Sequence, residues 1–214
     1  MNLRHVTSAF TALVLTGTAL GVATTPAQSA ESQAVGTRSL AKLLAADGNR
    51  FDKNPRDFDI LDRAIRTVLK AKPESPVAVL KDGKVALTAF APTDQAFRLL
   101  AQEVTGTQLK SERAVYAALA QVADVNTTEQ LLLYHAVPGK TITYKQAKAS
   151  NGARLQTGTG ARIRVKVVDG LVTLVDGDKN DRNARVIPKL KNLNQGNRQI
   201  AHGVDRVLRP FDLP

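Results

Sequence analysis

The spacing of the apolar residues changes near residue 150, from mostly helical to alternating, and that change limits the fold more than any other feature. Before it, apolar residues recur at helical intervals. Ile60, Leu61, Ala64, Ile65, Val68 and Leu69 share one helical face and Pro73 follows, so residues 57–70 are read as an amphipathic helix. Thr93 stands as the N-cap of a helix running to about Val104, with Ala96, Phe97 and Leu100 inward. Ser111 stands as the cap of another, with Ala114, Val115, Ala118 and Leu119 inward. Asn126-Thr127-Thr128-Glu129 has capping-box spacing and opens a helix that Val137-Pro138-Gly139 stops.

After residue 150 the period is two. Ile163, Val165 and Val167 alternate with Arg162, Arg164 and Lys166, which sends the aliphatics to one face of a strand and the cations to the other. Asp169-Gly170 marks a hairpin turn, and residues 171–175 return from it. Residues 186–187 and 200–208 are read as further strands. Earlier, residues 77–80, the Asp82-Gly83 turn and residues 85–90 suggest a short hairpin. Helices come first and strands after, with no regular βαβ alternation. That order argues an α+β fold with an antiparallel sheet system, not a doubly wound parallel one.

The chain has no cysteine, so disulfides, thiolate metal sites and a cysteine nucleophile are excluded. It also has no Trp, six Phe and three Tyr, which is poor material for stacking nucleic-acid bases. Its charge is uneven. Residues 1–138 hold 15 Lys and Arg against 13 Asp and Glu; residues 139–214 hold 15 against 6, so most of the net +11 lies in the last third. A field of that sign draws in anionic partners.

Residues 1–29 read as a secretory signal: Arg4 and His5, an apolar stretch to Ala23, Pro26, then the small residues Ala27 to Ala30 around an expected cleavage site. Residues 30–39 are then an N-terminal lead and residues 40–212 a single domain. No lipid or sorting signal is recognisable, which leans towards release from the cell.

Several chemical motifs start and fail. Gly139-Lys140-Thr141 has Tyr134 where a P-loop needs its first Gly. Gly158-Thr159-Gly160 has Ile163 where a dinucleotide fingerprint needs Gly. Asp176-Gly177-Asp178-Lys179-Asn180-Asp181 begins like a calcium loop but has Asp181 at the turn and Ile187 at the bidentate position, and is read as a polar turn. His135 and His202 lack metal-ligand spacing and are read as structural. Asp94 and Asp205 are read as isolated helix-start and turn residues. No cofactor or metal is expected.

Three blocks in order carry a family resemblance: residues 88–97 (Thr-Ala-Phe-Ala-Pro-Thr-Asp-Gln-Ala-Phe), residues 133–139 around Tyr134-His135, and residues 200–210 around His202. Together with residues 183–186 they resemble the fasciclin-type domain, as found in small secreted bacterial proteins. The resemblance implies an α+β wedge of about seven antiparallel or mixed strands in two sheets, flanked by several helices. It also implies a secreted or surface adhesion module that is not an enzyme. In the family the pair matched by Tyr134 and His135 is tied to fold integrity and to an adhesion surface, and the histidine matched by His202 is structural. Where animal relatives carry an Asp-Ile pair linked to integrin binding, this chain has Asn192-Leu193-Asn194, so integrin is not an expected partner.

The expected function is therefore a secreted, cell-surface or wall-associated interaction module, monomeric and without a membrane span once mature. Its expected partner is an extracellular protein or an anionic polysaccharide or cell-wall polymer, held by Arg162, Arg164 and Lys166 with help from Arg154. Two other readings stand beside it: a secreted hydrolase using His135 or His202 as base, and a nucleic-acid binder suggested by a pI near 10.1.

Overall fold

A computed structural model describes residues 35–48 and 50–211. The expected signal at residues 1–29 lies outside the described residues, as does the start of the lead. Among the described residues, six α-helices, three short 3-10 turns and seven strands follow one another. The helices are α1 (Leu40–Leu44), α2 (Asp59–Ala71), α3 (Asp94–Thr105), α4 (Glu112–Val122), α5 (Val125–Tyr134) and α6 (Tyr144–Ala149). The strands are β1 (Leu87–Pro92), β2 (Ala136–Pro138), β3 (Arg154–Gln156), β4 (Arg162–Val168), β5 (Leu171–Val175), β6 (Ala184–Arg185) and β7 (Gln199–Val204). The expected α+β class, with two sheets, is what forms. None of these helices is long and apolar enough to cross a membrane.

The four-stranded sheet, β3-β4-β5-β6, is antiparallel throughout. Its β4–β5 connection is the expected Asp169-Gly170 turn, with φ of 52° and 75° at the two residues, the left-handed pair that a two-residue hairpin needs. The three-stranded sheet, β2-β1-β7, departs from the antiparallel expectation. β1 runs antiparallel to β2 but parallel to β7. Parallel neighbours need a long crossover, and here it takes in everything between residues 92 and 199.

Local chemistry sets the helix starts. Thr93 accepts from the Ala96 amide at 3.4 Å, and Ser111 from the Ala114 amide at 3.2 Å, as their positions predict. α5 differs from expectation. Its cap is Asp124, whose Oδ1 accepts from the Thr127 amide at 2.7 Å. A carboxylate at this position both caps and complements the helix dipole, so it takes the role expected of Asn126, whose side chain accepts from Lys72 instead. The hairpin expected over residues 77–90 does not form. Ser75 caps a 3-10 turn over Pro76–Lys81, and Pro76 at its first position is preorganised for it. Val77 and Leu80 then face the core together, and the strand begins only at Leu87.

Three apolar clusters result. One packs α1, α2 and the turn at residues 76–81 on one side of β1. A second lies between the sheets, where Phe90, Val137 and Val204 meet Ile163, Val165, Val172 and Leu174. A small third joins Ile60, Ala101 and Val115 from α2, α3 and α4. The lead is tied down as well. The Gly36 amide donates to the Gly196 carbonyl at 2.8 Å and its carbonyl accepts from Arg198 at 3.0 Å.

Candidate functional site

The alternation along β4 works out as its sequence implies. Ile163 and Val165 are fully buried between the sheets, and Arg162, Arg164 and Lys166 are exposed on the opposite face. Register adds a fourth cation: Arg154 of β3 stands directly opposite Arg164. On the other side, Lys166 pairs with Thr173, and Thr173 with Arg185. Successive same-face positions lie about 7 Å apart along a strand and about 5 Å across a pair. Like charges set opposite each other destabilise a sheet, so the Arg154–Arg164 pair costs the fold something. Among the described residues, no ion pair engages Arg154, Arg162, Arg164 or Lys166. Arg185 at the edge reaches Asp169 at 3.7 Å. Between Lys166 and Arg185, the buried Thr173 hydroxyl has no hydrogen-bond partner. The face thus offers fixed positive charge, with the Thr173 hydroxyl buried beneath it.

Tyr134 and His135 are elsewhere, at the end of α5, and both side chains are buried. His135 Nδ1 donates to the Leu131 carbonyl at 2.7 Å, while Nε2 accepts from the Leu208 amide at 2.8 Å. Burial pushes its pKa down to about 4, so the ring is neutral near pH 7. The Tyr134 hydroxyl is pushed up to about 12, by burial first and then by the nearby Asp176 carboxylate. Any surface tied to this pair is therefore made by what the two residues position. His202 uses the other tautomer: Nδ1 accepts from the Asn192 amide at 3.2 Å and Nε2 donates to the Ile142 carbonyl at 2.8 Å. Its ring stacks on Phe90 at 5.9 Å, and burial lowers its pKa. In both rings a backbone amide occupies the lone pair that a general base would need.

Two groups escaped the sequence reading. The first surrounds Asp94, which is not isolated. Asp57, Asp94 and Glu112 bring carboxylate oxygens within 4.8 Å of one another, and Asp52, Asp57 and Asp59 do the same. These are the described carboxylates gathered closely enough to hold a cation. Glu112 is met by Arg98 at 3.0 Å and the Asp52 amide at 2.6 Å. Asp94 Oδ1 accepts from the Ile60 amide at 3.0 Å, which caps α2 from outside. Burial, and then a proton shared with Asp57, raise the Asp94 pKa to about 8. The density of Asp residues at positions 52, 57 and 59 was the available signal.

A raised folded-state pKa stabilises the fold below the unfolded value and loses that stabilisation as pH climbs to the folded value. Asn at position 94 would keep the acceptor for Ile60 and give Asp57 a permanent donor. Asp94→Asn is therefore expected to stabilise the protein by about 1–2 kcal/mol near pH 8 and by little near pH 4. Urea unfolding across that range checks it. Parallel pH profiles for the two proteins would place the proton elsewhere.

The second group is a clamp. Arg209, although buried, meets Asp178 at 2.6 Å, Asp181 at 2.9 Å and Glu103 at 2.8 Å. Its amide donates to Asp176 at 2.8 Å. The calcium-like run at residues 176–181 is thus wrapped around a guanidinium of its own chain. Gly177 is required there, since any Cβ would strike the Pro210 carbonyl.

Comparison with known proteins agrees with this architecture. A FAS1 domain pair from the insect cell adhesion molecule Fasciclin I matches with a TM-score of 0.50 at 16% identity, over 73% of this chain and 48% of that one. This chain therefore spans about half the length of that protein. No curated protein matches. The Fasciclin domain model matches residues 65–210, which take in all three sequence blocks. Domains of this kind occur in extracellular or cell-surface proteins, serve in cell adhesion and extracellular interaction, and are generally not enzymes. By the extent of that match, the chain belongs to the fasciclin domain family.

Proposed function

We propose that this protein is a secreted, non-enzymatic adhesion module that holds anionic surface or matrix polymers, such as sulfated glycans or cell-wall phosphate polymers, on the outer face of β3 and β4. One observation carries the reading: four cations share one sheet face, two of them opposed at close range, with no acidic partner among the described residues. A fold that tolerates this repulsion gains from an anion that relieves it. A flat ladder of charge suits an extended polymer with repeating anionic groups. The signal segment at residues 1–29 supports secretion. A hydrolase reading has less support, because both imidazoles are fully engaged by backbone groups. Nucleic acid is disfavoured by the scarcity of aromatics and by the signal.

The test is binding of the mature protein to a sulfated glycan and a neutral glycan across a salt series. Saturable binding to the sulfated polymer that weakens with salt is expected. The Arg162→Glu/Arg164→Glu/Lys166→Glu variant is expected to bind at least about tenfold more weakly. If its binding matches the wild type, the face is the wrong one.

A further inference from the structure

A second feature lies away from the cationic sheet. Helices α2, α3, α4 and α5 enclose a cleft of about 690 Å3, well inside the range of small-molecule sites. Val68 lies at its base, and Leu100, Leu119, Leu131 and Leu132 line its sides. Close packing normally removes such space. Val122 and Phe211 line the same cleft, and they are two of the four exposed large hydrophobic residues of the described part.

The charge of the cleft narrows what it can take. Each ionisable group on its lining is already engaged. Both nitrogens of His135 are used, Arg209 is clamped by acids, and the Asp124 carboxylate caps α5. No cation is left for an anionic headgroup, and the one unpaired charge on the lining, the exposed Asp124 carboxylate, is held at the start of α5. One neutral group has hydrogen-bonding capacity to spare. The Thr67 and Tyr116 hydroxyls bond each other at 2.6 Å, so one hydroxyl proton of the pair remains to donate.

From this we propose that the cleft binds one long alkyl chain of an uncharged acyl lipid, with the lipid's ester or glycerol oxygen at the Thr67–Tyr116 pair. At about 30 Å3 per water-sized group, the volume accepts roughly twenty methylenes, the length of a common acyl chain. Burying such a chain removes both its own apolar surface and the cleft's from water. The site is separate from the cationic sheet face and uses a different force.

The experiment uses N-phenyl-1-naphthylamine as an uncharged reporter and monopalmitoyl glycerol, below its aggregation threshold, as competitor. Monobutyryl glycerol is the short-chain control. Ala120 lies on the cleft wall yet is exposed, so Ala120→Trp fills the space without entering a core cluster, and Ala120→Ser leaves it open. Monopalmitoyl glycerol is expected to displace the reporter from the wild type and from Ala120→Ser, and monobutyryl glycerol is not. Ala120→Trp is expected to weaken both reporter and lipid by at least tenfold. Binding is expected to persist at about 1 M salt and in the triple Glu variant of β4, so failure of the polymer reading leaves this test intact. The proposal is overturned if the lipid fails to displace the reporter, or if Ala120→Trp binds it as the wild type does. It is also overturned if the cleft proves to be closed by a second copy, seen as a dimer that Val122→Lys dissociates.

Discussion

Replacing Arg209 with Met is expected to lower the unfolding free energy by about 3–5 kcal/mol. The guanidinium is buried and is the counter-charge for Asp178, which is buried with it. Met has a similar reach and fills much of the space, so packing is not what is lost. What remains is a buried carboxylate that has lost its guanidinium, with Asp181 at the edge of the same pocket. Removing one partner of a buried pair costs far more than the pair is worth. The double variant Arg209→Met/Asp178→Asn should therefore regain part of the loss, a coupling that a double-mutant cycle measures directly. Full additivity of the two substitutions would show that the clamp is not a unit.

His135→Ala is the second large effect, about 3–4 kcal/mol near pH 7.5. The substitution leaves the buried Leu208 amide without its acceptor and takes the ring donor from the Leu131 carbonyl, which keeps only the residue-135 amide at 3.2 Å. It also removes a ring that fills the end of α5. The loss has a pH signature. The folded-state pKa is lowered to about 4, so the stabilising contribution is fully present above the unfolded value, about 6.5. It is lost as pH falls through about 4. The gap between wild type and variant should narrow from pH 7.5 to pH 4.5. Asp94 works in the opposite sense over part of this range, so the comparison is cleanest in the Asp94→Asn background. A gap that stays constant with pH would mean that the imidazole is not held neutral.

These two residues act on one junction. Tyr134 lies beside Asp176, His135 holds Leu208, and Arg209 is held by Asp176, Asp178 and Asp181. The end of α5 and the segment after β7 are thereby locked to the loop between β5 and β6. This gives the Tyr134-His135 block a physical role that does not need exposure.

Much of this was legible in the chain itself. The period of two along residues 162–167 gave the buried and cationic faces of β4, because a strand allows no third choice. Thr93 and Ser111 announced their helices, since a side-chain acceptor three residues ahead of an orphan amide is a local device. What escaped depends on contacts distant in sequence. The parallel pairing of β1 with β7 joins segments about a hundred residues apart, and no local signal encodes it. Asp94 looked isolated because Asp57 and Glu112 reach it only after α2, α3 and α4 pack. Residues 176–181 resembled a cation loop, and the cation turned out to be Arg209, some thirty residues on. α6 was missed although Thr143 and Gln146 form its full capping box; its six residues are too few for a helical period to show. The alternation placed Arg162, Arg164 and Lys166 on one face, but only the register of β3 set Arg154 opposite Arg164.

The most direct test of the polymer-binding account is a map of backbone amide chemical shifts on titration with a sulfated glycan. The account predicts shifts concentrated at residues 154–156, 162–168 and 173, saturating together and collapsing as salt is raised. Shifts centred on the helices, or spread evenly over every exposed Lys and Arg, would contradict it.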